Sequence, residues 1–257
     1  MIEVKTPEEL DRMRRAGRVV GGLLEHLKEH VRPGMKTKEL DDLAIAYLKT
    51  ANAKPAFLGY RGYPASICVS VNEEVVHGIP GERRIAEGDV VRIDAGAVVS
   101  EFYGDAAITV IVGQPRPGTA RLVDTTRRAL EAGIEQAVAG HRLSDISHAV
   151  QRVIEAAGFG IVREFVGHGI GRAMHEDPPI PNFGAPNLGP RLRAGMVLAI
   201  EPMVTMGGDA VEILRDGWTA VTKDRSLAAH FEHTVAVTEQ RAEVLTARDV
   251  QAATHSA

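Results

Sequence analysis

The chain has 257 residues, 44% of them apolar and 25% charged, which is enough to bury roughly three-quarters of its unfolded surface and leaves no room for bulk disorder. A net charge of −4 argues against a general binder of phosphate backbones, so no specific nucleic-acid partner is expected. Cys68 is the sole cysteine, which excludes an intrachain disulfide and a thiolate-rich metal site.

In chain order, the start MIEVKTPEEL carries charges where a signal peptide needs an apolar run, and no later stretch approaches about 18 apolar residues. A cytoplasmic protein without membrane contact is expected. Thr6-Pro7-Glu8-Glu9 reads as a helix start: a threonine cap, proline at the first helical position and a glutamate placed for a capping box. Leu10, Met13, Gly17, Val20, Leu24 and Leu27 then recur at helical spacing until Pro33-Gly34. A second amphipathic helix is predicted from near Thr37, with Leu40, Leu43, Tyr47 and Leu48. Strands are predicted in ASICVSV, DVVRIDAGAVV and DAAITVIV.

From Thr119 the order begins again. One helix is predicted over about 119–137, closed by Gly140, and another is capped by Ser144 and carries Ile146, Val150, Val153 and Ile154. Strands follow in GMVLAIEPMV and FEHTVAV. The segments Gly88–Asp94 and Gly195–Glu201 match in detail: a glycine, a β-favouring run, and a carboxylate six residues on. Asp105 and Glu232 each open a strand in the same way. The pattern predicts an α+β domain over residues 1–250 with pseudo-repeats at about 6–118 and 119–246, and a flexible tail over 251–257. Strands of both halves share one antiparallel-type sheet, and helices cover one side of it.

Asp94 ends a β-branched run where a structural role would favour another apolar residue. If the two strands pair about a turn near Val99 and Ser100, Asp94 and Asp105 stand opposite one another with Cβ atoms about 5 Å apart. Like charges so placed repel unless a cation or proton lies between them. Glu201, before Pro202, and Glu232 have the same strand-edge setting. A single acidic residue is ordinarily a surface, cap or turn residue; four at matching strand ends are not so easily explained.

His168 adds a nitrogen donor within the glycine-rich Val166–His175. Those glycines, at 167, 169 and 171, do not form the GxGxxG of a nucleotide site, and no clean amphipathic helix follows. One histidine and four carboxylates form a hard, oxygen-rich set able to hold two divalent ions, and Mn²⁺, Fe²⁺ or Co²⁺ suit it. Two such ions activate water and polarise a carbonyl, so hydrolysis proceeds without a protein nucleophile. No GxSxG is present, and Cys68 falls in a strand pattern.

The motifs PASICVSVNEEVVHGIP, GDVVRIDAG, FYGDAAITVIVG, VGHGIGRAMHEDP, AIEPMV and DGWTAVTKDRSLAAHFEHTVAV resemble those of type I methionine aminopeptidases of the bacterial kind, over residues 5–246. The resemblance implies the pita-bread fold and removal of the initiator methionine from nascent polypeptides with a small second residue. It implies that Asp105 and Glu232 bridge two metal ions, that Asp94 completes one shell, and that His168 and Glu201 complete the other. His77, His175 and Glu201 match the catalytic group, with His77 touching substrate near the scissile amide and His175 hydrogen-bonding its carbonyl. Phe57, Tyr60, Tyr63, Cys68, Met174 and Trp218, with His77 and His175, match substrate-binding positions. Phe57 and Met174 stand where relatives often carry a smaller residue and phenylalanine, and His230 stands where glutamine is expected.

A monomer is expected, with peptide and nascent-chain N-termini as partners and transient ribosome contact. A prolidase-like enzyme is the nearest rival reading. The helix start at Thr6 is expected to leave no room for the extra N-terminal domain those relatives usually carry, and the methionine-pocket motifs also argue against it. An inactive interaction module is the second rival, and the intact ligand set weighs against it.

Overall fold

Thr6 and Glu9 form the reciprocal cap that opens the first helix: the Glu9 N–H donates to Thr6 Oγ1 (3.3 Å) and the Thr6 N–H to Glu9 Oε2 (3.0 Å). The computed structural model describes residues 2–247, so the tail expected over 251–257 lies outside the described residues. Helix α1 runs Pro7–His30, α2 Thr37–Thr50, α3 Thr119–Gln136 and α4 Leu143–Ala156. The predicted Ser144 cap is corrected. Arg142 is the capping residue, its N–H donates to Asp145 Oδ2 (2.8 Å), and Ser144 Oγ accepts the Leu188 N–H instead. The helix starts two residues earlier than the serine suggests, because Asp145 can meet the free N–H from inside the helix.

The main sheet runs in the order Lys54–Pro55, Val90–Val99, Phe102–Ile111, Glu232–Ala236, Val197–Ile200, Gly167–Gly169, Glu176–Ile180. Ile67–Val71 also pairs with Val90–Val99, and Glu243–Val244 with Glu232–Ala236. All of these pairings are antiparallel. Strands from before residue 112 lie on one side and strands from after 160 on the other, apart from the Glu243–Val244 branch. They meet where Phe102–Ile111 pairs with Glu232–Ala236.

Strand alternation sorts this sheet into two chemically different faces. Val91, Ile93, Ala95, Ala106, Ile108, Leu198, Ile200 and Val235 pack with Val20, Leu23, Leu24 and Leu27 of α1, Leu40 and Ala44 of α2, Leu130 of α3 and Ile146 of α4 in one buried core. Each fully buried leucine or isoleucine there contributes on the order of 1.5–3 kcal/mol. The alternate residues of the same strands include Asp94, Asp105, Glu232 and His168, which therefore share the face opposite the helices.

Two strand predictions need correction. The hairpin turn is Ser100-Glu101, both in the left-handed region (φ 49° and 69°), between the paired Val99 and Phe102. Asp105 therefore faces Gly96, and Asp94 faces Ala107. The two carboxylates are diagonal neighbours on one face, not directly opposed. The run GMVLAIEPMV is also not one strand. Pro202 has no N–H to donate, and the ladder of Val197–Ile200 stops before it. Met203–Thr205 then joins a separate sheet with Ala228–His230 and Gly160–Ile161. Glu201 sits in the break, its carbonyl held by Asn182 Nδ2 (3.0 Å).

Candidate active site

Each site residue singled out from the sequence lines a single cavity of about 140 Å³: Asp94, Asp105, His168, Glu201 and Glu232, with Phe57, Tyr60, Tyr63, Cys68, His77, Met174, His175 and Trp218. Arg61 is the further lining residue. No motif in the sequence marks it. Its left-handed backbone (φ 50°) and its guanidinium 5.3 Å from the Tyr60 ring centre place a cation at the rim.

The donor atoms form two groups, Asp105–His168–Glu232 and Glu201–His230–Glu232, within each of which the ligand atoms lie within 4.8 Å of one another. Glu232 belongs to both. Asp94 lies in the same cavity but in neither tight group. Asp105 is fixed by a backbone exchange with Thr234, which accepts the Asp105 N–H (3.1 Å) and donates to its carbonyl (2.7 Å). Glycine sets the approach of the His168 strand: a Cβ on Gly167 would lie 2.4 Å from the Ala199 carbonyl oxygen, so only glycine lets that strand pair there. His168 Nδ1–H donates to Gly169 O (2.9 Å), which leaves Nε2 free to face Glu201 Oε1 at 3.6 Å.

Electrostatics set these residues apart from ordinary surface acids. Burial pushes Asp94 up to about 7. Asp105 and Glu232 are held well above the usual carboxylate range, by burial first and then by the neighbouring acids. Glu201 is raised by burial and then by Asp94. Asp94 Oδ1, Asp105 Oδ1 and Glu232 Oε1 are buried without a hydrogen-bond partner. Unpaired, mutually repelling oxygens in a dry site are costly unless cations meet them. Together with imidazole nitrogens they make a dinuclear donor set for divalent cations.

The histidines of the wall are kept neutral. Burial, then the charge of His175, lowers His77 to about 4, and the same causes lower His168 to about 4. His175 is lowered by burial and then by Arg61. Its Nδ1 shares a hydrogen bond of 2.8 Å with the Tyr60 hydroxyl, its ring stacks on Tyr60, and its centre lies 4.1 Å from that of His168. His77 is held edge-on to Phe165 and Trp218.

Beyond the carboxylates the cavity is apolar. Phe57, Tyr63, Cys68 and Met174 are buried together, with Tyr60 and Trp218 packed on them. A Cβ on Gly96 would come within 2.8 Å of the Phe57 ring, so the glycine makes room for it. The Tyr63 hydroxyl donates to the Gly78 carbonyl (3.0 Å), with the Ile67 carbonyl also in reach (3.2 Å), which commits it to the wall. His230, noted in the sequence only as a departure, is also brought to the carboxylates. Its Nε2 lies 3.9 Å from an oxygen of Glu201 and 3.9 Å from one of Glu232.

The model of metallopeptidase family M24 matches residues 11–239. The chain is 52% identical to methionine aminopeptidase 1 of Bacillus subtilis over 246 residues, covering 96% of this chain and 99% of that protein. The crystal structure of a methionine aminopeptidase from Thermotoga maritima is similar with a TM-score of 0.94 and 48% identity, covering 96% of this chain and 99% of the other. A prolidase from Pyrococcus furiosus shares the fold at a TM-score of 0.77 and 24% identity, with 95% of this chain laid on 65% of that one.

Proposed function

Because the chain belongs to metallopeptidase family M24, and within it to the type I methionine aminopeptidases of bacteria with their pita-bread fold, we propose that it removes the initiator methionine from new polypeptides whose second residue is small. The chain is a metal-dependent aminopeptidase of N-terminal methionine excision, by its likeness to methionine aminopeptidases and its paired donor groups. The observation that carries the finer reading is the junction of an apolar pocket with a dinuclear donor set in one cavity. Two bound divalent ions supply activated water and a polarised scissile carbonyl.

Each side chain has a task in this reading. Asp94, Asp105, His168, Glu201 and Glu232 would hold the two ions, with Glu232, common to both donor groups, placed to serve either. Phe57, Tyr63, Cys68, Met174 and Trp218 enclose the methionine side chain, whose unbranched thioether suits aromatic and sulfur-bearing walls. With the Tyr60 hydroxyl donating to Nδ1, across their 2.8 Å contact, His175 would carry its proton on Nε2 and offer it to the developing oxyanion. His77, neutral and wedged by Phe165 and Trp218, borders the scissile amide. The second substrate residue then lies in the confined space between the two histidines, which admits glycine, alanine or serine. We place the enzyme in the cytoplasm, where such N-termini emerge. There it acts as a monomer in transient contact with ribosomes, without membrane or nucleic-acid partners; the substrate class supports this placement. Among the described residues no helix is long and apolar enough to cross a membrane.

Steady-state kinetics on Met-Ala-Ser, Met-Leu-Ser and an Ala-Pro peptide test the reading. Met-Ala-Ser should exceed Met-Leu-Ser by at least about 100-fold in kcat/KM, since a misplaced carbonyl costs that much. Equal rates would refute the steric argument, and preference for Ala-Pro would refute the substrate assignment.

A further inference from the structure

His230 is 1% exposed, yet neither of its ring nitrogens has a hydrogen-bond partner. A buried imidazole left so unpaired is costly and calls for a partner that protein atoms do not provide. The main chain that carries the ring is held from two sides. The His230 N–H donates to Thr109 Oγ1 (2.9 Å), and Thr109 Oγ1 donates back to the His230 carbonyl (2.6 Å). On the other side Arg92, also 1% exposed, donates from Nη1 to the carbonyl of Ala228, two residues upstream. From this anchored strand the ring places Nε2 equidistant, at 3.9 Å, from one oxygen of Glu201 and one of Glu232.

We propose that His230 is a metal ligand, its Nε2 completing the shell of the ion held by Glu201 and Glu232. The inference rests on the reading of those carboxylates as metal ligands. Donors 3.9 Å apart fall inside the span of about 4.2 Å, twice a metal–ligand distance of about 2.1 Å, that one ion can bridge. A neutral imidazole also adds a donor without adding charge to a site whose four carboxylates already balance two divalent ions. A second nitrogen shifts the site away from the hardest cations, toward Co²⁺ and Fe²⁺ over Mn²⁺.

Co²⁺ alone is the probe. In the cobalt-loaded full chain, strongly contact-shifted exchangeable ring N–H signals in the proton NMR spectrum count the ligating histidines. Two such signals are expected in the wild type, from His168 and His230, and one in His230→Gln. Calorimetric Co²⁺ affinity should fall at least about tenfold in His230→Gln, with a smaller loss for Mn²⁺. The wild-type count decides the matter even if the variant folds poorly. Full Co²⁺ uptake with one shifted imidazole overturns the role of His230 and leaves the carboxylate centre standing. Failure of the wild type to take up Co²⁺ at all overturns both.

Discussion

Replacing Asp94 with asparagine removes one of four mutually repelling carboxylates, and the sign of its effect on stability should reverse with metal. In the metal-free protein burial raises the Asp94 carboxyl to about 7 from an ordinary 3.8. A raised carboxylate holds its proton in the folded state at pH values where the unfolded chain has released it. The cost of ionising it in place is therefore absent below about pH 4, grows as pH rises, and is complete above about pH 7. Holding the carboxyl that far above its ordinary value corresponds to about 4 kcal/mol. Asp94 keeps some access to water, so a gain of about 2–4 kcal/mol is expected for metal-free Asp94→Asn above pH 7. For a chain of this length that is roughly 5–15 °C in Tm. Scanning calorimetry of chelated protein from about pH 4 to pH 8 should show the two melting curves converging at the acid end and separating toward the alkaline end. With saturating Mn²⁺ the order should invert, because the wild type binds the ions more tightly and gains more from them. A metal-free variant melting at or below the wild type near pH 7.5 would refute the argument that Asp94 stands as an uncompensated buried charge.

His175→Ala should lower kcat by about 10²–10³ with metal content unchanged, as expected for loss of a donor to the developing oxyanion; lost metal with unchanged activity per bound ion would make His175 a ligand instead. Tyr60→Phe removes the hydrogen bond that orients His175 and should lower kcat about 2–10-fold, the value of one hydrogen bond, with KM for Met-Ala-Ser little changed. A rise in KM alone would place Tyr60 in substrate binding only.

How much of this was legible in the sequence can be followed residue by residue. The α1 cap at Thr6 and Glu9 is a local motif whose partners are three residues apart, so sequence spacing is sufficient to find it. The carboxylates were legible because each interrupts an apolar strand pattern, and strand alternation then carries Asp94, Asp105 and Glu232 to one face. The register between them was not. Ser100 and Glu101 both adopt left-handed backbone without the Asn-Gly signal that usually marks such a turn, which moved the expected pairing by two residues. The break at Glu201-Pro202 was hidden because an apolar run reads the same whether one sheet or two receive it. Arg61 and His230 could not be placed from local pattern at all. Arg61 enters the cavity through one left-handed residue, and the backbone of His230 is anchored by Thr109, 121 positions away.

The central claim is that the carboxylate-lined end of the methionine pocket works as a dinuclear metal centre. Its most direct test is titration of chelated protein with Mn²⁺ or Co²⁺, following bound metal by mass spectrometry and Met-Ala-Ser hydrolysis in the same samples. Hydrolysis should be absent without metal, rise with occupancy, and reach its plateau with metal uptake saturating at two ions per chain. Full hydrolysis in excess chelator, with bound metal well below one ion per chain, would contradict it.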